Sequence, residues 1–298
     1  MLLLRDLQAL ASAHSEDLDT EVANFEIEGV RFEFDKRSEV MGVINLSRDS
    51  WYRESVSPSA GSAIQRGLVL KAQGARIVDV GAESTLPDAG RVGPDEQLDQ
   101  LVPVVEALAS AGLLVSVETY EPEVALGCLE AGARLLNLTG TADDSEMFSL
   151  AARFGAGVII CFVQGENVRE VDDMVIEGDP VPALKEHFRP RIELASRVEL
   201  ERLFIDPGLG FYYGNLTDGV TRVQRQVEIF LNTFRLRSLG YPICHALPHA
   251  FDFFLDEVRS AEGMFAVLAA IGGCSLFRTH EVPRVRATLD VIEAIEPR

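Results

Sequence analysis

Short apolar runs alternate with segments of helical periodicity through most of the chain from residue 40 onward. Eight runs have the length of a buried strand, and they lie near residues 40, 76, 114, 134, 158, 202, 242 and 275. Unbroken apolar runs are typical of parallel strands that are covered on both faces. Eight βα units in roughly 250 residues predict a closed (β/α)8 TIM barrel, an α/β fold. A doubly wound open sheet is the alternative, but the chain has no G-x-G-x-x-G segment to favour it.

The first 38 residues follow a different pattern. Residues Phe25–Phe34 alternate apolar and polar around Gly29, which predicts a β-hairpin. A hairpin in this position is expected to cover one end of the barrel. We therefore divide the chain into an N-terminal extension with a hairpin, residues 1–38, and a barrel, residues 39–298.

Composition narrows the choice of partners and compartment. Apolar residues make up 47% of the chain and its net charge is −20, so we expect a soluble cytoplasmic protein that binds neither nucleic acid nor membrane. An anionic ligand would need a local cluster of positive charge or a metal ion. The four cysteines are far apart and form no C-x-x-C pair, which indicates buried free thiols rather than a zinc site.

Polar side chains stand at the predicted carboxyl ends of most strands. In a closed barrel these ends face one mouth, where the active site lies. Any one of them is explained as a cap or turn former, but burying several unpaired polar groups would cost about 1–3 kcal/mol each. A shared site is therefore the better interpretation. The candidates are Asn45, Asp79, Glu118, Asn137, Gln164, Asp206 and the pair Arg278 and His280.

These residue types suit a flat nitrogen heterocycle that carries a phosphate group. Carboxylates and amides pair with ring N–H and amino groups, while Arg278 and His280 supply positive charge for phosphate. Asn45 would place an amide oxygen on a Mg²⁺ ion shared with the phosphates. We expect no organic cofactor.

Five segments of the chain form a series of motifs: Met41–Trp51, Gly74–Thr85, Ser116–Thr119, Asp206–Phe211 and Arg278–Val282. In this order they resemble M-G-I-x-N-x-T-P-D-S-F, G-A-x-I-I-D-V-G-G-E-S-T, S-V-D-T, D-P-G-I-G-F and R-V-H-D-V, which are motifs of the dihydropteroate synthase family. The match follows the family's order from about Val40 to the C-terminus.

The resemblance implies a homodimeric enzyme of folate biosynthesis. It would condense 6-hydroxymethyl-7,8-dihydropterin diphosphate with p-aminobenzoate and release pyrophosphate. The implied pterin contacts are Asp79, Glu118, Asn137 and Asp206. The implied diphosphate and Mg²⁺ contacts are Asn45, Thr85, Arg278 and His280, and Asn45, Asp79, Arg278 and His280 would carry the catalysis.

The chain departs from the family pattern at four places, and one of them is Ser47-Arg48, where the family has Thr-Pro. The family's S-R-K-S-F segment has no counterpart, because Cys244–Phe251 contains neither Lys nor Arg and His249 lies nearest the place of the Lys. A solvated loop histidine is the ordinary interpretation of His249, and substrate binding is the alternative. Leu86 replaces an Arg, and Glu118 replaces an Asp that is one methylene shorter.

These departures keep two other functions open. The chain could be a non-catalytic paralogue, or a partner subunit, that binds pterin or phosphate. It could also be a folate-dependent methyltransferase, because such enzymes use the same barrel. That third function would leave Thr85, Arg278 and His280 with no phosphate to bind.

Overall fold

A computed structural model describes residues 1–47, 56–84, 89–169, 178–210, 216 and 218–295. Its strands are β1 (Phe25–Ile27), β2 (Val30–Phe32), β3 (Glu39–Asn45), β4 (Ile77–Gly81), β5 (Leu114–Thr119), β6 (Leu135–Leu138), β7 (Gly157–Cys161), β8 (Leu203–Asp206), β9 (Cys244–Ala246) and β10 (Leu276–Thr279). Its helices are α1 (Leu4–Ala13), α2 (Ala60–Ala72), α3 (Pro94–Ser110), α4 (Pro122–Glu130), α5 (Asp144–Arg153), α6 (Pro180–Arg197), α7 (Gly219–Leu231), α8 (Thr233–Leu236), α9 (Phe251–Phe254), α10 (Ser260–Ile271) and α11 (Val282–Glu293). Within these ranges, no helix is both long and apolar enough to cross a membrane.

Strands β3 to β10 form a parallel barrel. Their order is β8-β7-β6-β5-β4-β3-β10-β9, with every neighbouring pair parallel. The strands at the two ends of this order, β8 and β9, also meet, which closes the barrel. Ile205 forms a parallel bridge with Ile243 and donates its N–H to the Pro242 carbonyl at 3.0 Å. The predicted (β/α)8 barrel is therefore confirmed, and the open-sheet alternative is wrong.

Alternate residues of each strand point into the barrel, because side chains change face at every position of a strand. The inward residues nearest the strand starts form one apolar cluster, which we call the inner apolar layer: Met41, Ile77, Leu114, Leu135, Ile159, Phe204, Cys244 and Leu276. The outward residues, such as Val78, Val115 and Leu136, pack with the surrounding helices in a second cluster. Burial on both faces explains why the strands appear in the sequence as unbroken apolar runs.

The predicted N-terminal hairpin is present and closes one end of the barrel. Strands β1 and β2 pair antiparallel, with Phe25 opposite Phe32. The rings of Phe25 and Phe34 meet the ring of Phe204 nearly at right angles, with centroids 5.1 and 5.3 Å apart. Phe204 belongs to the inner apolar layer, so the hairpin covers the end opposite the carboxyl ends of the strands. The site must therefore open at the other end.

Helix α6 begins at Pro180, directly after Asp179, whose side chain accepts a hydrogen bond from the Val181 N–H at 3.0 Å. Proline is tolerated in the first turn of a helix, because its missing N–H would have had no helical partner there.

Candidate active site

Asp79 lies at the centre of a hydrogen-bonded group inside the barrel. Its side chain is fully buried. Oδ1 accepts a hydrogen bond from Ser116 Oγ at 2.6 Å, and Oδ2 accepts from Asn137 Nδ2 at 3.1 Å and from Arg278 Nε at 2.8 Å. Strands β4, β5, β6 and β10 thus contribute to one group. Sequence reasoning missed Ser116, although its inward position two residues before Glu118 was a usable signal.

Asp79 is the third residue of β4, two positions before its last residue. The strand ends at Gly81, which has no side chain, so Asp79 carries the last inward-facing side chain. Gly81 lies in register with Asn45 on one side and Glu118 on the other, and Glu118 is in register with Asn137. The polar residues therefore occupy the barrel interior between the inner apolar layer and the carboxyl mouth, the end where the strands finish.

Glu118 and Arg278 form the second ion pair of the site. Arg278 Nη2 donates a hydrogen bond to Glu118 Oε2. The pKa of Glu118 is raised to about 7, mainly by burial and also by the neighbouring carboxylates of Asp79 and Asp206, while the charge of Arg278 acts to lower it. Burial by itself would lower the pKa of Arg278, but the charges of Glu118 and Asp79 raise it above its ordinary value. Arg278 is therefore a permanent cation directed at the acidic side chains.

Asp206 closes β8, as predicted, and is 2% exposed. Its Oδ1 accepts a hydrogen bond from the Gly208 N–H at 2.8 Å. Gly208 has a φ of +75°, a backbone conformation that glycine adopts without a steric penalty. Burial raises the pKa of Asp206 to about 6, although the Gly208 hydrogen bond and the Arg278 charge both act to lower it. The carboxyl group is held in place by the turn that follows it.

Both polar atoms of the Asn137 side-chain amide form hydrogen bonds, which fix its orientation. Its nitrogen donates to Asp79, and its Oδ1 accepts a hydrogen bond from the Cys161 thiol at 3.5 Å. Burial raises the pKa of Cys161 well above its ordinary value, so this thiol stays protonated and remains a donor. The four cysteines are buried free thiols, as the sequence predicted.

His280 and His249 belong to a second group, built around Glu262 of α10. Glu262 is fully buried, and its Oε2 accepts hydrogen bonds from Thr279 Oγ1, from the His280 N–H at 3.0 Å and from the Glu281 N–H at 3.2 Å. Its Oε1 lies 3.0 Å from His280 Nδ1 and 3.8 Å from His249 Nδ1. Burial raises the pKa of Glu262, but the hydrogen bond from His280 and the charges of both histidines outweigh it, so the pKa lies below its ordinary value.

The structure therefore divides the predicted site residues into two groups. Asp79, Glu118, Asn137 and Arg278 are joined by hydrogen bonds, while His280 is turned toward Glu262. The side chain of His249 is only 12% exposed, so the interpretation as a solvated loop histidine is wrong. Sequence reasoning missed Glu262, because it lies near the start of a helix and not at a strand end.

Of the remaining predicted contacts, Asn45 lies at the carboxyl mouth. Asn45 is the last residue of β3 and is half-buried. Thr85 and Leu86 lie outside the described residues. Ser84 and Ala89 are the described residues on either side of this segment. Arg169 donates hydrogen bonds to the carbonyl of Ser84, at 2.7 Å, and to the carbonyl of Ala89.

Comparison with known proteins assigns a family to this arrangement. The sequence model of the family described as "Pterin binding enzyme" matches residues 41–280. A dihydropteroate synthase from Streptococcus pyogenes serotype M18 is 30% identical over 278 residues, which cover 89% of this chain and 97% of that protein. A probable bifunctional folylpolyglutamate synthase/dihydropteroate synthase from Halobacterium salinarum is 32% identical over 266 residues, 87% of this chain, but this chain spans only 32% of that longer protein. The structure of Xanthomonas albilineans dihydropteroate synthase with 4-aminobenzoic acid superposes with a TM-score of 0.76 at 27% identity, covering 93% of this chain and all of the other.

Proposed function

Because the chain belongs to the pterin-binding enzyme family, we propose that it is a transferase of the dihydropteroate synthase type. It would condense 6-hydroxymethyl-7,8-dihydropterin diphosphate with p-aminobenzoate in folate biosynthesis. The single observation that carries the proposal is the buried group of Asp79, Asn137 and Arg278, which lies next to Asp206 below the carboxyl mouth. The 4-aminobenzoic acid of the Xanthomonas albilineans structure supports the choice of amine.

The pterin would lie flat in the barrel, above the inner apolar layer. Its ring N–H and amino group would donate to the Asp206 carboxylate, because a carboxylate accepts two parallel hydrogen bonds. Asn137 offers both a donor and an acceptor, and its orientation is already set by Asp79 and Cys161. These contacts orient the hydroxymethyl carbon toward the carboxyl mouth.

Arg278 would serve mainly to balance the acidic pocket. Its Nε and Nη2 already donate to Asp79 and Glu118. Loss of this cation would leave neighbouring carboxylates unpaired in a buried site. The contact of Arg278 with diphosphate, which the family resemblance implies, would therefore be secondary to its role among the carboxylates.

The diphosphate would lie at the carboxyl mouth between Asn45 and His280, with Thr85 as a further contact. Mg²⁺ fits this position, because it binds through few protein oxygens and completes its octahedron with substrate phosphates and waters. Asn45, half-buried at the end of β3, can supply one amide oxygen. When bound, Mg²⁺ would neutralise charge on the departing diphosphate.

The reaction exchanges one bond for another at the pterin methylene carbon. The C–O bond to the diphosphate breaks and its electron pair leaves with the pyrophosphate. The amine nitrogen of p-aminobenzoate forms the new C–N bond and releases one proton. The chain's part is to orient the pterin, to exclude water and to hold the leaving group.

A continuous pyrophosphate-release assay tests this function. With Mg²⁺, pterin diphosphate and p-aminobenzoate, we expect pyrophosphate to form together with dihydropteroate in equal amounts. The reaction without p-aminobenzoate is the control for simple hydrolysis. Failure to form dihydropteroate at any enzyme concentration would refute the transferase.

A second candidate function is a pterin-binding paralogue without turnover. The observation in its favour is that Cys244–Phe251 contains no Lys or Arg and that His249 is turned toward Glu262. Pterin binding measured by calorimetry, with no dihydropteroate formed, would identify this function. The homodimer implied by the family resemblance stays a prediction that sedimentation equilibrium can test.

A further inference from the structure

Three side chains outside the acidic pocket offer metal ligands to one point in space. His249 follows β9, His280 follows β10, and Glu262 lies near the start of α10. One ligand atom from each lies within 4.8 Å of the other two. We propose that this His249–Glu262–His280 cluster binds one divalent transition metal ion, with Zn²⁺ as the representative species.

The ligand separations suit such an ion. Zinc bonds to histidine nitrogen and carboxylate oxygen are about 2.0–2.2 Å long, which sets the edge of a tetrahedral site at about 3.4 Å. Glu262 Oε1 lies 3.0 Å from His280 Nδ1 and 3.8 Å from His249 Nδ1, on either side of that value. The ligand atoms of all three residues lie within 4.8 Å of one another, so metal binding requires side-chain rotations that shorten the longer separations toward the tetrahedral edge length.

The carboxylate is already oriented as a metal ligand would be. Its Oε2 is held by Thr279 Oγ1 and by the backbone N–H groups of His280 and Glu281, which leaves Oε1 directed at the two imidazoles. Metal-binding carboxylates are commonly fixed by such outer hydrogen bonds. Glu262 is also fully buried. Its Oε2 is thus fixed by hydrogen bonds, while its Oε1 faces the two candidate nitrogen ligands.

The ligand types select the class of metal. Two imidazole nitrogens with one carboxylate suit Zn²⁺ and similar ions, whereas Mg²⁺ prefers oxygen ligands. The site is thus distinct from the proposed Mg²⁺ position at Asn45. Three protein ligands leave at least one position open for water or for an anionic oxygen.

The position of the cluster indicates that a bound ion would supply positive charge to the site. The chain has a net charge of −20, and the segment Cys244–Phe251, which includes the ninth strand and the loop after it, contributes no Lys or Arg. A divalent ion at His249 and His280 would place positive charge beside the carboxyl mouth, where an anionic substrate group must be held. This consequence rests on the proposed function, but metal binding itself does not.

Metal binding is measured on substrate-free protein, so the result is independent of turnover. Protein stripped by a chelator and dialysed would be titrated with Zn²⁺ by calorimetry, and with Co²⁺ by visible absorption. We expect one equivalent of Zn²⁺ per chain and the visible absorption bands of Co²⁺ bound to nitrogen and oxygen ligands. A Zn²⁺ concentration of ~100 μM lies far above the dissociation constants of protein zinc sites. Binding of less than about 0.1 equivalent at this concentration would overturn the proposal.

Three variants locate the ion. His249→Ala is the decisive one, because His249 lies on a loop, and it should weaken Zn²⁺ binding at least about tenfold. His14→Ala is the matched control, since His14, Glu16 and Asp17 form the other candidate group among the described residues and lie at the N-terminal surface. Asn45→Ala separates the site from the proposed Mg²⁺ position, and Zn²⁺ binding should survive in both controls.

A melting experiment guards against misfolded variants. Zn²⁺ should raise the melting temperature of the wild type and of His14→Ala, but not that of a folded His249→Ala protein. Equal stabilisation of wild type and His249→Ala would overturn the site. Glu262→Gln, which keeps the shape of the side chain, should lose the response in the same way if it folds.

Discussion

Arg278 donates a hydrogen bond from Nε to Asp79 Oδ2 at 2.8 Å, although 199 positions separate the two residues along the chain. The contact joins the last strand of the barrel to its second strand, because both strands pair with β3. It forms because both side chains face the barrel interior. The acidic pocket therefore depends on the pairing of the first and last barrel strands as much as on the residues themselves.

The first prediction concerns the neighbour of this pair, Glu118. Burial raises its pKa from 4.5 to about 7, so the folded state binds this proton more tightly than the unfolded state does. Its contribution to stability is therefore present below about pH 4.5 and is lost as the pH rises through about 7. A pKa difference of this size contributes at most about 3 kcal/mol to the free energy of unfolding.

Glu118→Gln removes that titration. We expect the free energy of unfolding of the wild type, relative to this variant, to fall by about 2–3 kcal/mol between pH 5 and pH 8. Urea unfolding at the two pH values measures it. The exposed Glu257→Gln is the control and should show little pH-dependent difference from the wild type. A pH-independent difference for Glu118→Gln would show that Glu118 titrates normally.

The second prediction concerns pterin binding by Asp206. Asp206→Asn replaces an acceptor by a group with one donor and one acceptor, so one charge-assisted hydrogen bond is lost. Pterin affinity should fall by about 1.5–3 kcal/mol, which is roughly 10- to 150-fold. Calorimetry measures the change, with the exposed Asp290→Asn as the charge-matched control. Unchanged affinity in Asp206→Asn would place the pterin elsewhere.

The third prediction concerns the missing cation after β9. Wild-type protein freed of transition metals should release pyrophosphate more slowly than about 1 s⁻¹ in Mg²⁺, because no Lys or Arg lies within Cys244–Phe251. His249→Lys restores a permanent charge and should raise the rate, most clearly together with Leu86→Arg. His14→Lys adds the same charge elsewhere and should leave the rate unchanged. A wild-type rate of about 1 s⁻¹ or more under these conditions would mean that the cation is dispensable.

The fourth prediction is that the hairpin contributes to stability and not to pterin binding. Phe32 is fully buried in the hairpin and contacts Phe204 with ring centroids 6.5 Å apart. Phe32→Ala should lower the free energy of unfolding by about 3–5 kcal/mol, because a large buried ring leaves a cavity. Phe253→Ala, at a ring that is 54% exposed, should change it by no more than about 0.5 kcal/mol.

The folded Phe32→Ala protein should bind pterin like the wild type, since the hairpin closes the opposite end of the barrel. Urea unfolding and calorimetry on the same preparation check both statements. A large loss of pterin affinity with little loss of stability would show that the hairpin acts on the site and not on the core.

Local patterns were sufficient to predict the barrel and the hairpin. Each strand is an unbroken apolar run because both of its faces are buried, and each turn carries residues that end a strand. The same patterns placed Asp206 correctly, because the glycine turn after it is local. They also placed Asp79 near the end of its strand, but they could not show which side chains it would meet, because that depends on the register of β4 with β3 and β5.

Sequence patterns are enough to predict which elements form, in which order, and which residue types gather at the carboxyl mouth. The pairing of those residues follows from the packing of distant elements. Arg278 is turned to Asp79 and Glu118, while His280 is turned to Glu262, a helix residue that no strand-end pattern indicates. The physical reason is range: hydrophobic periodicity and turn chemistry act over a few residues. Partners far apart in sequence are brought together only when the barrel closes and the helices pack on it.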